Sequence, residues 1–155
     1  MNTDAENYVW YLSSLTTIRV SAQAGGDQIS MIEQRARKGY SPPLHAHRTQ
    51  DEVFQVLEGE FRLQVADQEH HLKAGEFLLI PKGVPHTSLV ESPQEGRWVT
   101  IMVGVDFENF VRAVARPAER IEIPPYGEET SPENILTLTM TAAQFGLDIV
   151  GPALQ

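Results

Sequence analysis

The sequence contains no cysteine. This absence excludes thiolate zinc sites, iron–sulfur clusters, thiol nucleophiles and disulfides, so any metal must be bound by nitrogen and oxygen ligands. Basic residues are also few, with 12 Lys and Arg against 21 Asp and Glu and a formal charge of -9. Because phosphate binding needs clustered cations, and no basic stripe is present, we expect no nucleic-acid partner.

Long apolar runs are missing as well. No stretch approaches the roughly 20 apolar residues that would span a bilayer, so no membrane is expected as a partner. The first residues, 1–6, lack the basic and apolar regions of a secretory signal. We therefore expect a soluble, cytoplasmic protein whose 155 residues form one domain with its own core.

Short runs of β-branched and aromatic residues, separated by turn residues, occupy the first two-thirds of the chain. They include residues 9–12, 16–22, 29–35, 61–65, 77–80 and 98–103. Within the second run, Ile18, Val20 and Ala22 alternate with polar residues, which predicts one buried and one solvated face. Many short strands without helical crossovers predict an all-β fold, an antiparallel sandwich or barrel.

The periodicity changes after Gly104. Phe107, Phe110, Val111 and Val114 are spaced as the apolar stripe of a helix. A second helix is predicted from a cap at Ser131 and Pro132 at the first turn to a stop at Gly146. The single domain, 1–155, would thus have a barrel core at about 8–104 and a C-terminal helical extension at about 105–155. We expect these helices on the outside of the sheet or against a second subunit.

All five histidines lie between residues 39 and 86, and three of them, together with an acidic residue, have spacings that suit a metal site held by β-strands. His45 and His47, two apart on a strand, would point to the same side, and Glu52 follows on the next strand. His86 comes later, beyond a loop with two prolines. A His-X-His pair alone is a weak signal, because such pairs are often ordinary exposed residues.

These histidines, the glutamate and the glycines around them resemble the motifs of a known family, the cupins. The first cupin motif is matched by Gly39, His45, His47, Glu52 and Gly59, and the second by Gly75, Pro81, Gly83 and His86. Val90 stands where the second motif ends in Asn, which is not a metal ligand in the family, so this departure concerns local structure. The glycines fit tight barrel corners that need a positive φ.

The resemblance implies that His45, His47, Glu52 and His86 hold one divalent transition metal per chain. Imidazole and carboxylate ligands suit Fe, Mn, Ni, Co or Zn and do not choose among them. Asp51 could replace Glu52 under a shorter variant of the motif, but the six residues between Glu52 and Gly59 favour Glu52. His70 and His71 are adjacent on a strand and would face opposite sides, which predicts solvated residues.

The resemblance extends to the single-domain cupins grouped as quercetin dioxygenase-like. It is carried by residues 8–20, 43–48, 53–59, 107–110 and 145–152. It implies a cupin-type jelly-roll β-barrel with about two C-terminal α-helices, and a homodimer. The implied activity is a dioxygenase acting with O2 on a flavonol-like or other small enol or phenol substrate. The metal would be the Lewis acid, and Glu52 would be both ligand and catalytic base.

Two other functions remain open. The metal could serve an isomerase or cyclase of a biosynthetic pathway without using oxygen, or the protein could bind a metal or ligand without catalysis. The enzymes need at least one open coordination position, and the binding protein does not. Phe54 and Val56 would point to the same side of their strand as Glu52, so an apolar cavity is expected beside the site.

Overall fold

The structure is a computed structural model that describes residues 7–125 and 132–155. The strands are β1 (Tyr8–Tyr11), β2 (Ser14–Val20), β3 (Ile29–Arg37), β4 (Leu44–His47), β5 (Glu52–Glu58), β6 (Glu60–Val65), β7 (Gln68–Lys73), β8 (Phe77–Ile80), β9 (His86–Val90), β10 (Glu95–Val103), β11 (Arg116–Pro117) and β12 (Leu147–Gly151). The helices are α1 (Asp106–Val114) and α2 (Pro132–Gln144).

The strands form two antiparallel sheets. The larger has the order β11-β1-β2-β3-β10-β5-β8, and the smaller has the order β12-β4-β9-β6-β7. The predicted all-β jelly-roll fold with two helices is confirmed. On β5 the residues Glu52, Phe54 and Val56 are buried while their neighbours are not, so the predicted parity is also confirmed.

Aromatic residues fill one part of the core between the sheets. The Phe54 ring stacks on Trp98 at a centroid distance of 6.1 Å, and Phe61 meets Trp98 edge-on at 5.3 Å. Val90 joins this cluster and is 1% exposed. Its backbone pairs with Gly39 and Tyr40, so the residue that departs from the motif packs in the core at the end of β9.

The motif glycines have the predicted backbone. Gly39, Gly59, Gly75 and Gly83 all have φ between 80° and 89°. Gly59, between β5 and β6, is also crowded, because an added Cβ would lie 2.6 Å from Ser92 Oγ and 2.9 Å from Glu95 O. At this corner a side chain would be strained by both its φ and its neighbours.

Helix α1 packs into one end of the barrel, and the expectation that it lies outside the sheet was wrong. Its residues Phe107, Phe110 and Val111 are buried with Ile32 and Met102, which point inward from the larger sheet. The wide apolar stripe of α1 is therefore covered by the barrel interior. In the described ranges, neither helix is long and apolar enough to cross a membrane.

The C-terminal extension also supplies a strand that the sequence analysis did not predict. Strand β12 pairs with β4, placing Leu147 opposite His47 and Ile149 opposite His45. The smaller sheet thus continues beyond the division placed near residue 104. Helix α2 stops before Gly146, whose φ is 74°, and the predicted cap at Ser131 lies outside the described residues.

The predicted alternation along β2 was wrong in its second half. Val20 is 40% exposed, whereas Thr17 is 3% exposed. The pairing of β2 with β3 shifts register between Ile18 and Val20. A β-bulge of this kind turns the following side chain toward the other face of the sheet.

A buried carboxylate fastens α1 to the β2–β3 connection. Glu108 is 1% exposed and accepts hydrogen bonds from the Ala22 N–H and the Ser21 hydroxyl, each at 2.7 Å. Arg112, one turn later, pairs with the same carboxylate at 3.0 Å. Such a carboxylate is stabilising only while its partners remain, since an unpaired buried charge is costly.

We predict that Glu108→Ala lowers the free energy of unfolding by about 2–3 kcal/mol, because it leaves the Ala22 N–H without an acceptor. Urea denaturation measures this change. The control Arg112→Ala removes only a half-exposed partner and should cost less than about 1 kcal/mol. Equal unfolding midpoints for the two variants would contradict the role given to Glu108.

Candidate metal centre

The structure brings the four predicted ligands together from both sheets. His45 and His47 point to one side of β4, and His86 on β9 lies directly opposite His45 in register. Glu52, at the start of β5, reaches the same point from the larger sheet. One candidate ligand atom from each of the four residues lies within 4.8 Å of all the others.

Backbone carbonyls orient two of the imidazoles. His45 Nδ1 donates to the carbonyl of Pro43 at 2.7 Å, and His86 Nδ1 donates to the carbonyl of Val84 at 2.9 Å. Each ring therefore directs Nε2 toward the centre of the cluster. Such outer hydrogen bonds fix the ring orientation and the tautomer of metal-binding histidines.

Glu52 is 6% exposed and is the only acid in the cluster. Its Oε2 lies 2.9 Å from His86 Nε2 and 3.3 Å from His47 Nε2. The Thr100 hydroxyl donates to Oε1 at 3.3 Å. Both carboxylate oxygens of Glu52 thus have a hydrogen-bond partner.

The protonation of the cluster follows from its burial and from these contacts. Burial, followed by the charges of His86 and His47, lowers the pKa of His45 to about 3, so this imidazole is neutral. Burial alone would raise the pKa of Glu52, but hydrogen bonds from His47 and His86 hold it well below the usual value. Burial opposes the charged form of His86, yet the bond to Glu52 raises its pKa.

These residues fit a divalent cation. The buried carboxylate requires a positive charge beside it, which a bound cation would supply. Ligands around one ion lie up to about 4.2 Å apart, because each nitrogen or oxygen sits about 2.1 Å from the metal. The upper limit of the separations in the cluster, 4.8 Å, exceeds this distance by about 0.6 Å. Three imidazoles and one carboxylate suit iron, manganese, nickel, cobalt or zinc.

The cluster opens on a small cavity of about 60 Å³. Apart from the four candidate ligands, its walls are mainly apolar and include Phe54, Leu63, Ile80, Trp98, Phe107, Phe110 and Leu147. Gln34 and Thr100 add polar groups on the larger sheet. A mainly apolar pocket with a few converging polar groups is typical of a small-molecule site.

Helix α1 supplies a wall of the site that the sequence analysis did not identify. The Phe107 ring meets His47 edge-on at a centroid distance of 5.2 Å. Gln50 accepts the Phe107 N–H at 2.9 Å and donates to the Val103 carbonyl, so it takes the place of a helix cap. The apolar stripe predicted Phe107 as a helix residue, but no local pattern shows which strand it faces.

The other polar candidates lie away from the cluster. Asp51 accepts the Lys82 N–H at 2.8 Å and thereby fastens the loop that leads to His86. His71 is 62% exposed and pairs with Glu69 at 2.9 Å. Among the described residues, neither Asp51 nor the His70–His71 pair belongs to the four-residue group.

Comparisons with known sequences agree with this geometry. Residues 32–102 match the family described as "Cupin domain". Quercetin 2,3-dioxygenase of Bacillus subtilis is 26% identical over 151 residues, covering 97% of this chain and 44% of the relative. A B. subtilis protein described as uncharacterized, YdbB, is 51% identical over 43 residues, or 27% of this chain and 38% of the relative. The chain thus spans less than half the length of these curated relatives.

Solved structures share the fold. A predicted oxalate decarboxylase from Thermotoga maritima aligns with a TM-score of 0.59 and 16% identity, over 66% of this chain and 97% of the other. A sugar phosphate isomerase from a cupin superfamily, from Silicibacter pomeroyi, aligns with a TM-score of 0.53 and 21% identity, over 61% of each chain. These likenesses concern the fold alone. The match over residues 32–102, which contain all four members of the cluster, supports a cupin superfamily protein, and the solved structures share its fold.

Proposed function

We propose that the protein is a metal-dependent dioxygenase acting on a flavonol-like or other small enol or phenol substrate. The observation that carries the proposal is the buried group of three imidazoles and one carboxylate between the sheets. The likeness to a quercetin 2,3-dioxygenase over 97% of the chain supports the choice of reaction.

The candidate ligands and the cavity walls would have different roles in the proposed reaction. His45, His47, Glu52 and His86 would hold the metal, which when bound supplies a Lewis acid for an enol or phenol oxygen. Glu52 faces the cavity, so its carboxylate is placed to accept the proton of a substrate hydroxyl. The apolar walls exclude water around that proton transfer.

We predict that the protein, purified without oxygen, contains about one divalent ion per chain and that His86→Ala binds it at least about 100-fold more weakly. Loss of a direct ligand should exceed the 10- to 100-fold cost of losing an outer hydrogen bond. Elemental analysis and metal titration measure this. His71→Ala, a histidine outside the cluster, is the matched control and should keep its metal. Full loading of His86→Ala would overturn the four-ligand assignment.

A second prediction concerns turnover. The metal-loaded protein should consume O2 with a flavonol. Thr100→Val should lower kcat/KM roughly fivefold at unchanged metal content, because the hydrogen bond that positions Glu52 is worth about 1 kcal/mol. An oxygen electrode and metal analysis follow the two quantities. If no fully loaded form consumes O2 with any flavonol, the isomerase or cyclase alternative replaces the dioxygenase.

We also propose that two copies associate through the outer face of the larger sheet. An apolar row crosses five strands there, with Leu79 opposite Val53, Val53 opposite Ile101, Ile101 opposite Met31, and Met31 opposite Val20. Leu79, on the edge strand β8, is 58% exposed. An uncharged apolar row can pack against its own copy across a twofold axis, whereas the charged faces of this acidic chain would repel each other.

Sedimentation velocity should show a dimer of the wild-type protein and a monomer of Leu79→Glu, since the twofold axis would bring two like charges together. Leu136→Glu is the control, because Leu136 is 61% exposed and lies on α2, whose main strand contact is with β12 of the smaller sheet. A wild-type monomer throughout the micromolar range would contradict the proposed association.

A further inference from the structure

The cavity at the candidate metal centre is too small for a whole flavonol. Its volume is about 60 Å³. Pockets that enclose drug-sized ligands are usually about 300–1,000 Å³. The chamber beside the four candidate ligands can therefore receive the coordinating end of such a substrate but cannot enclose its whole skeleton.

A second cavity, of about 640 Å³, adjoins this chamber. The two share six wall residues: Leu12, Tyr40, Pro42, Pro43, Leu138 and Ile149. These residues lie between the two cavities and are called the neck below. Leu138 comes from α2 and Ile149 from β12, so the C-terminal extension builds one side of the neck.

The walls of the second cavity are mainly apolar. Beyond the neck they include Ile135, Pro152 and Leu154. Its cations lie at exposed positions, and the Arg37 guanidinium donates to the carbonyls of Ile123 and Pro124. The chemistry of this space suits an apolar body more than a charged or sugar-like one.

The neck touches the candidate ligands directly. Ile149 is the cross-strand partner of His45, and the Pro43 carbonyl is the acceptor for His45 Nδ1. A molecule in the second cavity would thus lie next to the group that orients His45. Its polar end would then face the metal site through the neck.

We propose that the second cavity binds the apolar body of the substrate while the coordinating oxygen reaches through the neck to the small chamber. The role of the oxygen rests on the proposed function, because the oxygen would bind the metal. The apolar subsite is formed by protein side chains and does not require the metal. The substrate class is therefore an amphipathic enol or phenol, with its oxygen at one end and a two-ring or larger apolar skeleton behind it.

Two hydroxamic acids with the same coordinating group test this directly. We expect 2-naphthohydroxamic acid to bind the Co(II)-loaded protein about 100-fold more tightly than acetohydroxamic acid, because the larger carbon skeleton would occupy the second cavity. Titration followed by cobalt absorbance gives both affinities. Equal affinities in fully loaded protein would overturn the proposed subsite.

A pair of tryptophan variants locates the effect. Ile135 lines only the second cavity, so Ile135→Trp should weaken 2-naphthohydroxamic acid at least tenfold and leave acetohydroxamic acid unchanged. Leu136→Trp adds the same bulk to the neighbouring position, which lines neither cavity, and should change both affinities less than twofold. Equal effects of the two variants would place the naphthyl group elsewhere.

Ligand binding to the metal-free protein tests the apolar subsite independently of the proposed function. The fluorescence of 2-naphthol should report binding without metal, and Ile135→Trp but not His86→Ala should weaken it at least tenfold. If the protein binds no metal yet gives this pattern, the proposed function fails and the subsite stands. If 2-naphthol binding is absent or equal in both variants, the subsite is wrong.

Discussion

The structure depends on one arrangement, the burial of three imidazoles and one carboxylate between two sheets. Burying these polar groups is costly unless each is bonded. Here the carbonyls of Pro43 and Val84 bind the Nδ1 atoms of His45 and His86, and Glu52 accepts from His86 on the other side. The pairing of β4 with β9 and the inward face of β5 fix these contacts. A shift of either register by one residue would turn the ligands away from each other.

The surroundings hold this arrangement from two directions. The loop between β4 and β5 contacts the start of α1, where Thr49 donates to Asp106 and Gln50 accepts from Phe107. Glu108 joins the same helix to the β2–β3 connection. Because α1 presents Phe107 to His47, the helix connects the packing of the barrel end with the geometry of the candidate metal centre.

The sequence predicted the features that depend on short spacing. Three features depend on local geometry alone. They are the two histidines two residues apart, the positive φ at the turn glycine Gly59, and the placement of Phe54 on the same side of its strand as Glu52. Other features depend on distant partners. Nothing near residues 147–151 shows that they pair with β4, and no periodicity reveals the bulge that exposes Val20. The two cavities are further examples, since their common walls come from four separate parts of the chain.

The candidate ligands and the walls of the neck occupy different parts of the sequence. All four ligands fall within residues 32–102, the part that matches the cupin domain. Leu12, Leu138 and Ile149 lie outside it, as does Phe107 at the wall of the small chamber. Substitutions in these flanking segments can change the shape of the neck without altering the ligand set. In this chain, therefore, the matched part carries the candidate metal ligands, and under the proposals above the flanking segments would control which substrates reach them.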